Sequence, residues 1–202
     1  MKNFKLILIA FLFSAGMMAQ DRGSVVLDVY GSYVFSNRVN FDYGHVTIGD
    51  GFQYGAGLEF FPQKSSAIEI KYLRIDPTFK VDVPGNIDDR KGNGAINYIL
   101  LGGNHYFDNG GNAVPYFGGG IGMGIVEGPY GGNDTNFAWE LKGGVKIKTA
   151  SIVSVSLQAS LQSMIAPAGT DTYWGYWGPI AVQDYAYSYQ FGLGAVIGFN
   201  FK

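Results

Sequence analysis

From Tyr187 to Phe201 the chain alternates without a break. Tyr187, Tyr189, Phe191, Leu193, Ala195, Ile197, Phe199 and Phe201 are apolar, and between them stand Ser188, Gln190, Gly192, Gly194, Val196, Gly198 and Asn200. Successive side chains of a strand point to opposite sides, so a strict period of two predicts a β-strand with one apolar and one polar face. The run is about twice as long as the common strand of roughly five or six residues. What has to be explained is why so many large side chains share one face while the other is glycine or small polar groups.

The pattern recurs along the chain. Phe137, Trp139, Leu141, Val145 and Ile147 oppose Glu140, Lys142, Lys146 and Lys148, and Val153, Val155, Leu157, Ala159 and Leu161 oppose serines and glutamines. Phe52, Tyr54, Ala56, Leu58 and Phe60 alternate with Gln53, Gly55, Gly57 and Glu59. Ile68, Ile70 and Tyr72 alternate with Glu69 and Lys71, while in the first segment Val26, Tyr30 and Val34 blur an otherwise similar alternation. Eight strands are predicted, at 24–35, 51–61, 66–76, 95–107, 115–127, 136–148, 151–165 and 187–201.

The connections between these strands are unequal. Those after the second, fourth and sixth strands are short ("PQKS", "DNGGNAV", "TA"), whereas residues 36–50, 77–94, 128–135 and 166–186 make longer, more polar loops. An even number of strands with short turns on one side and long loops on the other describes an eight-stranded, antiparallel, up-and-down transmembrane β-barrel, an all-β fold. Lipid offers no hydrogen bonds, so a sheet can span it only by closing and leaving no edge. The last strand is therefore expected to pair with the first, its odd-numbered face toward hydrocarbon. A soluble barrel, such as a ligand carrier, would bury the large residues instead.

Composition agrees with an unusual solvent. Charged residues are 15%, aromatic residues 16%, and the formal charge is −2 with no basic stripe, which excludes a disordered chain and a nucleic-acid binder. At the N-terminus, Lys2 and Lys5 precede an apolar run from Leu6 to Phe13 and then small residues ending at Ala19, the layout of a secretory signal peptide. The expected division is residues 1–19 as signal peptide and 20–202 as the barrel domain. Loss of Lys2 and Lys5 leaves twelve basic residues against sixteen acidic ones, a formal −4. The chain contains no Cys, hence neither a lipid-attachment cysteine nor a disulfide.

With the signal segment, the eight alternating strands, the loop asymmetry and the final "YQFGLGAVIGFNF", the chain resembles the small eight-stranded outer-membrane β-barrel family of the OmpX and OmpA transmembrane-domain type. That resemblance implies residence in the bacterial outer membrane as a monomer, with outer-membrane lipids, lipopolysaccharide and the assembly machinery as partners. Members usually end on an aromatic residue that resembles the assembly signal. Phe199 and Phe201 fill that place here, although Lys202 follows.

Asp28, Glu59, Glu69, Lys71, Glu140, Lys142 and Lys146 fall on inward faces, and their mixed signs point to a polar network filling a narrow lumen. Two registers of the "PQKS" hairpin stay open: one sets Glu59 against Lys71, the other against Glu69. Gly118, Gly120, Gly122 and Gly124 do not have phosphate-loop spacing and read as an inward face cleared for bulky neighbours. His105 is expected inward near the short-turn end, with His45 in the first long loop, and no nucleophile, metal or cofactor site follows from their spacing. Aromatic residues near strand ends suit the membrane interfaces, while Tyr173, Trp174, Tyr176 and Trp177 in the last loop could contact a ligand or partner. The function so implied is structural or interaction-based at the cell surface and not enzymatic. Two alternatives stand beside it: a narrow channel for small or apolar solutes of the OmpW-like kind, and a lipid-modifying enzyme.

Overall fold

Period-two sequence leaves the backbone one economical way to satisfy its polar groups, which is pairing with neighbouring strands. The structure, a computed structural model, describes residues 23–41, 44–82, 90–108, 110–128, 133–149, 151–175 and 178–201. These form β1 (Val25–Val34), β2 (Asn37–Phe41), β3 (Gly44–Ile48), β4 (Gly51–Gln63), β5 (Ser66–Ile75) and β6 (Thr78–Asp82). The chain continues through β7 (Arg90–Asn93), β8 (Ala95–Tyr106), β9 (Ala113–Glu127), β10 (Asn133–Lys148), β11 (Val153–Gly175) and β12 (Gly178–Phe201).

Eight of the strands close into an antiparallel barrel in the order β1-β12-β11-β10-β9-β8-β5-β4. Closure runs from Val25 opposite Phe201 to Val34 opposite Gly192, as the alternation of the last strand requires. Large side chains cover the outside: Leu101, Ile121 and Leu157 are 57%, 61% and 60% exposed, whereas Glu140 inside is 2% exposed. A water-soluble barrel has the reverse arrangement, so this exterior belongs in hydrocarbon. Exposed rings form a belt at each end. Tyr33, Phe35, Phe52, Tyr187 and Tyr189 lie toward the long connections, and Phe60, Phe107, Phe117 and Phe201 toward the short turns.

Two long connections are not loops. Residues 36–50 and 77–94 contribute β2, β3, β6 and β7, which pair in the order β2-β3-β6-β7 as a second, four-stranded sheet. Ile48 and Phe79 of that sheet join Val34, Ile75 and Ile96 of the barrel in one buried apolar cluster, so the sheet is anchored to the barrel's long-connection end. Nor is 166–186 a loop, because β11 and β12 run on through it as a ribbon from Ala166 opposite Ala186 to Gly175 opposite Gly178. The pairing of β10 with β11 stops at Ile165, and that of β1 with β12 at Gly192. The ribbon therefore stands roughly 30 Å beyond the barrel wall at the usual rise per residue. Short strands without long apolar runs leave only a weak period-two signal, which is why these segments read as loops in sequence.

The glycine row of β9 clears space in two different ways. A Cβ on Gly118 would lie 2.0 Å from the Asn104 side-chain oxygen, and one on Gly124 would lie 2.6 Å from the Met164 sulfur. At Gly122 the obstacle is the neighbouring strand, since its Cβ would lie 2.0 Å from the Ile99 carbonyl oxygen. Gly110, in the β8–β9 turn, is the one described residue with positive φ, at 81°, and its N–H donates to Asp108 Oδ1 at 3.0 Å. Asp108 caps the turn and glycine permits its backbone.

Candidate functional site

The register of a single hairpin sets the chemistry of the lumen. Between Phe60 and Gln63 the β4–β5 ladder shifts, at Phe61 and Pro62, and above that irregularity Glu59 is opposite Glu69 while Gly57 is opposite Lys71. The second of the two registers is thus the one adopted. Proline cannot donate to a ladder, and the irregularity falls where it stands. Two carboxylates directly opposite destabilise a sheet unless cations from elsewhere compensate them.

Those cations come from across the barrel. Lys142 on β10 donates to both oxygens of Glu69 at 2.6 Å, and Lys71 lies 3.5 Å from the same carboxylate. Lys71 also pairs with Glu140, and the Tyr30 hydroxyl donates to Glu69. Glu59 accepts from the Tyr106 hydroxyl at 2.6 Å and from Asn104, with Lys146 at 3.4 Å. Toward the long connections the network continues through Gln53, which donates to Gln162 at 2.9 Å, and Gln162, which donates to Glu140 at 3.0 Å. Tyr98 then donates to Gln190 at 2.7 Å. Lys71 and Glu69 share β5, but Lys142 with Glu69, Lys71 with Glu140 and Lys146 with Glu59 each join strands that are not neighbours, so the network ties opposite walls together.

All seven expected lumen residues are inside and buried, yet they are not equivalent. Asp28, 4% exposed, has neither an ion-pair nor a hydrogen-bond partner among the described residues. Its carboxylate lies within 4.8 Å of those of Glu59 and Glu69. Four carboxylates therefore face three ammonium groups, and Asp28 is the surplus one. The trio has the spacing of a metal site, but Lys142 and Lys146 stand against two of its members and fill the role of a cation. In the sequence Tyr30, Tyr98 and Tyr106 read as flaws in the alternation, because an aromatic ring is not expected on an inward face, and Asn104 sits in a segment that alternates only weakly. The usable signal was strand parity, which puts all four on the inward side.

His105 is not in the lumen. Asn104 and Tyr106 take the inward positions of β8, so His105 points outward, with Ser66 Oγ 3.3 Å from its Nδ1 and Phe107 edge-on at 4.9 Å. No carboxylate completes that pair among the described residues. Tyr173 and Trp174 contribute backbone to β11, but their side chains, together with Tyr176, Trp177 and residues 1–19, lie outside the described residues. Phe201 faces outward at the end of β12, opposite Val25.

The two ends of the barrel differ. Among Asp28, Tyr30, Glu59, Glu69 and Lys142 lies a cavity of about 10 Å³, room for about one water molecule. At the short-turn end, by contrast, a vestibule of about 960 Å³ opens, walled by Phe61, Val114, Ile152 and Ser154 and carrying Lys146 and Lys148. Lys148 binds Asp108 at 2.6 Å on its rim. That contact and the Gly110 N–H hold the exposed Asp108 carboxyl below its ordinary value.

An apolar exterior, eight closed antiparallel strands and a charged, filled interior define an integral β-barrel of the kind that spans bacterial outer membranes. No protein-family model matches the sequence, and no curated protein does so. Solved structures do match its fold. Neisserial surface protein A is 13% identical with a TM-score of 0.57, the match covering 89% of this chain and 97% of that one. The outer membrane protein OprG of Pseudomonas aeruginosa is 12% identical with a TM-score of 0.56, covering 88% and 96%. The outer membrane protein AlkL, solved in lipid bilayers, is 15% identical with a TM-score of 0.53, covering 90% and 91%. The chain thus has the fold of the small eight-stranded outer-membrane barrels.

Proposed function

We propose that the protein is a monomeric structural and interaction protein of the bacterial outer membrane, acting through what it displays at the long-connection end and not through its lumen. The observation that carries this reading is the contrast between a filled interior and an elaborated end. Ion pairs and hydrogen bonds cross the barrel from wall to wall, and the cavity beside Asp28, Glu59 and Glu69 among them holds about 10 Å³. Above them stand a four-stranded sheet and a ribbon of two long strands. In barrels of this class, short turns face the periplasm and long connections face outward, so the sheet and ribbon are presented to the surroundings of the cell. Outer-membrane lipids and lipopolysaccharide contact the apolar band and its aromatic belts. The assembly machinery reads the end of β12, where Phe199 and Phe201 stand.

Fold alone does not assign a role, and the loops carry what distinguishes one barrel from another. Catalysis has little support, since the hydroxyl–imidazole pair of Ser66 and His105 has no carboxylate behind it among the described residues. The decisive experiment is single-channel recording of the purified protein in a planar bilayer. No ion conductance above the bare membrane is expected. Discrete, reproducible openings would replace the closed-lumen reading with that of a narrow channel.

A further inference from the structure

The vestibule at the short-turn end is larger than the closure of a barrel demands. Its volume of about 960 Å³ is at the upper end of the roughly 300–1,000 Å³ typical of small-molecule sites, and it is blind, because the Glu59, Tyr106 and Lys146 layer forms its floor. The walls divide by chemistry. Phe61, Val114, Ile152 and Val153 are its apolar lining, and Lys64, Lys146 and Lys148 bring three positive charges against Asp108 on the rim and Glu59 behind Lys146. Lys148 already binds Asp108 and Lys146 stands 3.4 Å from Glu59, which leaves the surplus charge with Lys64.

Lys146 is the informative residue. It is 8% exposed, and an ammonium has three N–H donors. Among the described residues its one polar partner is Glu59, at the long distance of 3.4 Å, and Glu59 is already engaged by Tyr106 and Asn104. The ammonium rests instead over the rings of Tyr106 and Phe61, 5.0 and 5.4 Å from their centroids. A buried cation with donors to spare, at the bottom of an open and partly apolar cavity, matches an anion attached to an apolar body.

We infer that this vestibule is a binding site for a small anionic amphiphile, one that places a phosphate or carboxylate on Lys146, within reach of Lys64 and Lys148, and its apolar part along Phe61, Val114, Ile152 and Val153. In the orientation proposed above, the site faces the periplasm. It is separate from the displayed sheet and ribbon and does not need a conducting lumen.

The test is calorimetric titration of octyl phosphate, below its micellar concentration, into the protein purified from membranes and placed in nanodiscs of zwitterionic lipid. Empty nanodiscs provide the background. Saturable binding above that background is expected, displaced by octanoate and not by octanol. Lys146→Met should weaken it about tenfold or more, the loss of a charge-assisted hydrogen bond. The pair Lys64→Gln and Lys148→Gln changes exposed rim residues, leaves folding intact and should weaken binding several-fold. Binding no greater than to empty discs overturns the proposal, as does equal affinity for octanol or affinity unchanged in the rim variant. Displacement by inorganic phosphate at the same concentration as octanoate would also overturn it, since the site would then recognise a free anion and not an amphiphile.

Discussion

At the scale of single residues, the lumen is a problem of charge balance. A buried ion pair contributes little beyond what well-packed apolar residues would, yet removing one partner leaves the other charged and uncompensated at a cost of about 3–5 kcal/mol. Glu69 is the strongest case, because Lys142, Lys71 and Tyr30 all converge on it. Asp28 is the opposite case, a carboxylate with no cation at ion-pair distance among the described residues. Urea unfolding of the refolded protein in detergent should therefore separate two isosteric changes. Glu69→Gln is expected to lose about 3–5 kcal/mol, whereas Asp28→Asn is expected to be neutral within about 0.5 kcal/mol or slightly stabilising. Equal losses in the two variants would show that Asp28 has a partner of the same worth as that of Glu69. The inward parity of both residues was legible in the sequence. Their inequality was not, because it depends on which lysines reach them from β5 and β10 across the barrel.

At the scale of elements, each barrel strand is held on both edges, whereas the ribbon of β11 and β12 is held on one edge only by its own partner. Among the described residues its outer edges pair with no other strand, and such an edge is the usual template for adding one. The ribbon also contributes nothing to barrel closure, since the pairing of β10 with β11 and of β1 with β12 stops before it begins. Replacing residues 168–184 with a two-residue Asn-Gly turn is thus expected to leave the barrel folded while removing the displayed surface. Circular dichroism and resistance to protease in lipid would check the first outcome, and retention on whole cells or host surfaces the second. A truncated chain that fails to fold would mean the ribbon is part of the barrel's own stability. The sequence hid this element for a local reason: "APAGTDTYWGYWGP" is rich in the glycines and prolines that mark loops, and Pro167 sits at a shift in the ladder. Edge position is what lets proline and glycine persist there.

At the scale of the whole molecule, the barrel has no edge to begin unfolding from, and its walls are tied through the lumen by pairs such as Lys71 with Glu140 and Gln53 with Gln162. The unboiled protein should therefore stay compact in dodecyl sulfate and migrate faster than the boiled chain. It should also fractionate with the outer membrane. Identical mobility before and after boiling would count against the closed barrel. The sequence by itself determined the parts that follow from local periodicity: the number of barrel strands, the antiparallel order, the closure of β12 on β1 and the outward face of the strands that alternate clearly, though not that of β8, where His105 is outward. Those are consequences of where a side chain points when its backbone is extended, and lipid leaves few other solutions. Only the tertiary structure decided the rest. The β4–β5 register set Glu59 against Glu69, contacts across the lumen left Asp28 without a partner among the described residues, and two connections folded into a second sheet. The first depends on a local irregularity at Phe61 and Pro62 and the others on contacts between segments distant in the chain, neither of which a pattern of alternating residues encodes.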